Sequence, residues 1–181
     1  VRPQRSLAQA EAPAASGDGF WPRLREAMPA RRTALAGSLA WGAAMGASAL
    51  MSLLFVHWET LALVRSVVVL FAVGGALAFP LACTIARMVS RGRNRQTAFA
   101  AALVSFTAVT IGLTALIYAL QYRRYYAEWH AEPFTVTWTL QLVFTGLVAL
   151  YQFAVLGIRL YFPLGMAALF AVALWFARRS R

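Results

Sequence analysis

The sequence predicts an all-α fold, a polytopic transmembrane helical bundle of five spans. Three observations predict it. Of the 181 residues, 61% are hydrophobic and 13% are charged, against about 45–50% apolar residues in soluble domains. The apolar residues run in long stretches, near 33–56, 61–89, 97–122, 134–158 and 160–177. Arginine clusters at 23–32, 87–95 and 178–181 fence those stretches. About 20 apolar residues rise about 30 Å as a helix, which matches the hydrocarbon core of a bilayer. The lipid bilayer is therefore the first partner the chain implies.

Residues 1–19 are rich in Ala, Pro, Ser and Gly and show no apolar period, so they are expected to form a disordered tail. The tail has no apolar core of its own, unlike a secretory signal, and its Glu11 and Asp18 argue against an organellar transit peptide. Residues 20–32 differ. Pro22 can open a short helix and Pro29 can close it. Phe20, Trp21, Leu24 and Met28 alternate there with Arg23, Arg25 and Glu26. That pattern suits a juxtamembrane interfacial segment, or a linker with aromatic anchors. Residues 33–181 form the transmembrane domain.

The first span carries Ala34, Ser38, Gly42 and Gly46 at intervals of four. Such a stripe, with its single GxxxG, lets two helix backbones approach closely. It serves packing within the chain, or else a dimer face. The second span contains Pro80 after Gly74, Gly75 and Ala78. Proline removes a backbone donor, so a kink is expected there.

Spans three and four each carry a polar stripe. Thr107, Thr114, Tyr118 and Gln121 share one helical face, with Thr110 beside it. Gln141, Thr145 and Gln152 share another. Unpaired amides are costly in hydrocarbon, so the two faces should meet. There they either zip the bundle, the preferred reading, or line a polar path. No acidic residue lies within a span, which speaks against proton- or cation-coupled transport.

The last stretch, 134–177, is too long for one crossing, and Arg159 and Pro163 near its middle predict a tight turn. Two spans there leave Arg178, Arg179 and Arg181 outside, against the positive-inside rule. One span plus a re-entrant or interfacial C-terminal helix keeps them inside. Length and continuity decide for five spans, with four plus that helix as the alternative.

Net charge is +11, and all 17 basic residues are arginine. Without lysine, a P-loop lysine, a Schiff base and a kinase-type lysine are excluded. The arginines cap apolar segments and form no single basic face, so nucleic acid is not an expected partner. They fit snorkelling, headgroup contact and topology control. Counted by loop, they place the N-terminus in the cytoplasm, with Arg65, Arg123, Arg124, Glu59, Glu128 and Glu132 opposite. Cys83 is the only cysteine, so no internal disulfide or CxxC site exists.

One constellation carries metal-ligand chemistry. His57 and Glu59 flank Trp58, and Glu128, His130 and Glu132 fall close together. Imidazole and carboxylate suit zinc, copper or iron. The competing reading is an interfacial aromatic belt of Trp58, Tyr122, Tyr125, Tyr126, Trp129 and Trp138, with acids left outside by topology. It is preferred, and no cofactor is expected. The Gly46-Ala47-Ser48 run lacks a histidine base at its depth, and the sole aspartate, Asp18, is in the tail, so a Ser-His-Asp triad is not expected.

Leu50-Met51-Ser52, Ala78-Phe79-Pro80 and Ala86-Arg87 with its basic exit lie within residues 39–91. This stretch resembles a group of short, uncharacterised bacterial two-span membrane proteins. The resemblance implies an inner-membrane hairpin and supplies no activity or site residue. Phe79-Pro80-Leu81 recurs as Phe162-Pro163-Leu164, which allows an internal duplication. The expected function is a non-enzymatic accessory or scaffold subunit of a larger complex in the bacterial inner membrane. Its partners are then other membrane subunits or a second copy. A small transporter component and an outward-facing metalloprotein are the alternatives.

Overall fold

The computed structural model describes residues 19–56 and 60–179. Among the described residues there are six α-helices: α1 (Phe20–Ala27), α2 (Arg31–Val56), α3 (Leu61–Ser90), α4 (Arg95–Tyr126), α5 (Val136–Gln152) and α6 (Leu164–Arg179). A 3-10 turn, Ala127–Trp129, extends α4. A π turn, Phe153–Gly157, and a 3-10 turn, Ile158–Tyr161, extend α5.

Among the described residues, four segments are long and apolar enough to cross a membrane: Arg31–Phe55, Leu61–Ser90, Arg95–Trp129 and Val136–Tyr161. They match the first four expected spans closely. The fifth differs. The 16 residues of α6 rise about 24 Å, short of a full hydrocarbon core. The chain between α5 and α6 has left α-helical geometry, and Pro163 there has no N–H to continue a helix.

Local sequence sets the helix ends. Thr60 caps α3 by accepting from the Leu63 amide at 3.4 Å. The Asn94 side chain caps α4, accepting from the Thr97 amide at 2.9 Å. Thr135 caps α5, accepting from the Trp138 amide at 3.1 Å. Each satisfies one of the unpaired donors of a first turn. Gly92, with φ at +66°, takes the left-handed conformation that turns α3 into α4.

α3 is the central element, packed on α2 and α4, and α4 packs in addition on α5 and α6. Small residues make this possible. Ala78, Ala82 and Ala86 of α3 and Ala98 and Ala102 of α4 are fully buried. Gly42 and Gly46 face α3: a Cβ on Gly42 would stand 2.7 Å from the Ala72 carbonyl oxygen, and one on Gly46 3.1 Å from the Ala72 Cβ. This end of the small-residue stripe therefore lies inside the chain's own interface. Ser38 is half-buried. Larger side chains fill the rest of the core: Trp41 and Phe79 each stack edge-on against Phe106, at 5.2 and 5.5 Å. Pro80 lies inside α3, which continues to Ser90, and its carbonyl accepts the Thr84 hydroxyl at 2.8 Å.

α1 forms where Pro22 and Pro29 predict it, and it lies against the end of α3. Arg87 donates to the Ala27 and Met28 carbonyls at 3.3 and 3.0 Å. These are carbonyls that a short helix leaves open at its C-terminus.

The course of α6 follows from its neighbours. Gly165, in its first turn, is bonded to Ser48. Leu169, one turn on, shares a cavity with Trp41 and Phe106. Along α2 that step runs from residue 48 back toward Arg31. α6 packs on α4 and α2 and makes no extended contact with α5. It continues in the direction of α5 and does not fold back on it.

Candidate functional site

The polar groups of the bundle collect at two places: the break between α5 and α6, and the α4–α5 seam. At the break, the backbone has lost helical partners. Ser48 and Ser52, one turn apart on α2, replace them. The Ser48 hydroxyl donates to the Leu160 carbonyl at 3.0 Å and accepts from the Gly165 amide at 3.0 Å. The Ser52 hydroxyl donates to the Phe162 carbonyl at 2.6 Å. Irregular backbone survives in a membrane only where other groups take up its donors and acceptors.

Beside the break, Thr110 joins three elements. Its hydroxyl accepts from Trp41 Nε1 at 3.0 Å, and its carbonyl accepts from the Thr114 hydroxyl at 2.8 Å and the Tyr161 hydroxyl at 3.5 Å. The Tyr161 ring packs on Phe71 at 4.8 Å. Trp41, Phe106, Thr110, Tyr161 and Leu169 line a cavity of about 250 Å³ whose walls are almost wholly apolar.

At the α4–α5 seam, the Tyr118 hydroxyl donates to Gln152 Oε1 at 2.9 Å. His130 Nε2 and Thr145 Oγ1 are 3.2 Å apart. Gln141 Oε1 accepts from the Ala131 amide at 2.8 Å. The two stripes thus meet at Tyr118 and Gln152, and α5 also pins the α4–α5 loop. Thr107 and Thr114 point elsewhere, each donating within its own helix, Thr107 to the Leu103 carbonyl at 2.7 Å. Gln121 is exposed, in a shallow depression with Arg124 and Glu128. Among the described residues, no buried side-chain nitrogen or oxygen lacks a hydrogen-bond partner.

Of the expected metal ligands, His57 and Glu59 lie outside the described residues. The others are not gathered: His130 is turned to Thr145, and Glu128 and Glu132 are exposed. Among the described residues, no three His, Cys, Asp or Glu side chains form a metal-binding group. The surrounding aromatics do cluster, with Tyr122 and Tyr126 at 4.8 Å, Tyr125 and Trp129 at 5.7 Å, and the Arg123 guanidinium 5.7 Å above Trp138.

Sequence reading passed over Ser48, Ser52, Trp41 and Thr110 as structural partners. A signal existed: two serines one turn apart in an apolar helix, and a proline in another apolar run. Comparison with family models, curated proteins and solved structures finds no match to this chain.

Proposed function

We propose that this chain is a non-enzymatic accessory or scaffold subunit of a bacterial inner-membrane complex, crossing the bilayer four times. In this reading α5 and α6 form a single interrupted crossing, and both chain ends are cytoplasmic. The direction of α6 along α4 and α2 supports the count. So does charge: Arg31, Arg91, Arg93, Arg95, Arg178 and Arg179 then fall at one end of the bundle, as the positive-inside rule asks. Five crossings would send Arg178 and Arg179 to the opposite side.

The observation that carries the scaffold reading is the pairing of Tyr118 with Gln152, together with the pinning of His130 and Ala131 by α5. The polar groups of the seam are taken up by one another, as in a zipped bundle. α5 is the crossing least covered by its own chain. In its apolar window 17% is buried, against 50% in α3, and Phe144, Leu147 and Tyr151 are exposed. That face is where a partner helix would pack. Residues 39–91, the part that resembles bacterial two-span proteins, would be an α2–α3 hairpin core to which α4, α5 and α6 were added.

The test is purification of the chain from its native membrane in mild detergent. A stoichiometric complex with another membrane subunit supports the reading. A stable, partner-free monomer of 19.8 kDa overturns it.

A further inference from the structure

The cationic end of the bundle holds a groove between α1 and the last turn of α3. Its volume is about 880 Å³. Arg23, Arg87 and Arg91 line it with a single carboxylate, Glu26, while Phe20 and Met88 supply apolar walls. Among the described lining residues guanidiniums outnumber carboxylates. Arg87 reaches the Ala27 and Met28 carbonyls, and Arg91 Nη2 meets Glu26 Oε2 at 2.7 Å. A guanidinium carries five N–H donors, more than these contacts use. The Arg91–Glu26 pair is well exposed, with side chains 60% and 64% accessible, so an incoming anion can compete with the carboxylate.

We propose that this groove binds the headgroup of an anionic phospholipid, with its phosphate held by Arg91 beside Arg87 and its acyl chains along Phe20 and Met88. The charge fits a phosphodiester, which arginine recognises through paired N–H donors. The apolar side fits the chains. It continues along the Met88 face of α3 onto Leu81 and Leu77, which are 50% and 53% exposed and face the bilayer if α3 crosses it. A soluble anion would have no use for that wall. Basic pockets of this kind at the cytoplasmic end of membrane helices suit anionic headgroups. Glu26 then acts as a placeholder that occupies Arg91 when no lipid is present.

The inference rests on the membrane reading, and the test separates the two. The full chain is reconstituted in nanodiscs of phosphatidylcholine, alone or doped with phosphatidylglycerol, and the phosphatidylglycerol retained after detergent release is measured by native mass spectrometry. Failure to enter nanodiscs at all contradicts the membrane reading. Entry without phosphatidylglycerol enrichment overturns the lipid site alone. With a site, Arg91→Gln lowers retention about fivefold and Glu26→Gln raises it by a similar factor, while Arg124→Gln at the other end leaves it unchanged. Were the Arg91–Glu26 pair only a tether for α1, both groove substitutions would act in the same direction, and that result overturns the proposal. Displacement of the lipid by inorganic phosphate would assign the groove to the free anion, and equal loss in Arg124→Gln would reduce the effect to net charge.

Discussion

Ser48 and Gly165 meet at 3.0 Å across the point where α6 begins, with the Gly165 amide donating to the Ser48 hydroxyl. The same hydroxyl donates to the Leu160 carbonyl on the far side of the break. One side chain of α2 therefore closes both ends of an interruption in the apolar stretch 134–177.

Removing that hydroxyl strands the Gly165 amide and leaves the Leu160 carbonyl only the Ser52 hydroxyl, at 3.5 Å. Ser48 is fully buried, so water cannot replace it. Ser48→Ala is expected to destabilise the bundle by about 1–3 kcal/mol. Ser52→Ala should cost less, because Ser52 is half-buried. Cys83, the only cysteine and fully buried, provides the assay: a thiol-reactive dye reports its exposure on heating. An unchanged transition in Ser48→Ala would contradict the bridging role.

Close backbone approach between α2 and α3 gives a second prediction. A Cβ on Gly42 would stand 2.7 Å from the Ala72 carbonyl, and that oxygen belongs to a helix and cannot step aside. Gly42→Val should lower the same thermal transition through overpacking, by about 1–3 kcal/mol. Gly112→Ala meets nothing within 4 Å and, inside α4, should raise stability by about 0.5–1 kcal/mol.

The Tyr118–Gln152 bond predicts a modest coupling. A double-mutant cycle of Tyr118→Phe and Gln152→Leu should return about 0.6 kcal/mol, the usual size for interhelical side-chain bonds in lipid. Under the scaffold reading neither Gln141→Leu nor Gln152→Leu changes solute flux across proteoliposomes. Loss of a measurable flux in either would favour a polar path along the seam.

Arg87 is the anchor of α1, since its guanidinium serves carbonyls at the end of that helix. Arg87→Ala should free α1 and speed chymotryptic cleavage after Phe20 and Leu24. Arg91→Ala should do so less, because exposed ion pairs contribute about 0–1 kcal/mol. Equal protection in Arg87→Ala and wild type would show that α1 is held by other contacts.

Much of this architecture was legible in the sequence. Helix positions follow from apolar run length, whereas the caps Thr60, Asn94 and Thr135 emerge only in the structure. Pro22 and Pro29 bracket α1. The course of the last segment was not legible. Its hydropathy is continuous across Leu160 and Gly165, and a proline marks a break without saying whether the chain turns back or continues. That choice is set by Ser48, which lies 112 residues away from Leu160 along the chain, and no local pattern records such a distance. Phe79-Pro80-Leu81 and Phe162-Pro163-Leu164 show the same limit. The first lies inside a continuous helix and the second at a break, although the residues are identical.

The polar stripes were legible as faces and not as partners. Helical spacing places Tyr118 and Gln152 on facing stripes, and they do meet. Thr107 and Thr114 share a stripe with Tyr118, yet each is taken up by its own helix. Spacing alone cannot tell a hydroxyl that bonds backwards within its helix from one that crosses to a neighbour.

The proposed four-crossing topology makes α5 and α6 one interrupted crossing. Reporter fusions after Glu132 and after Arg181 test it directly. A fusion after Glu132 is expected to be active on the periplasmic side and a fusion after Arg181 in the cytoplasm. A periplasmic reporter after Arg181 would mean that α6 crosses separately and would rule out a single α5–α6 crossing.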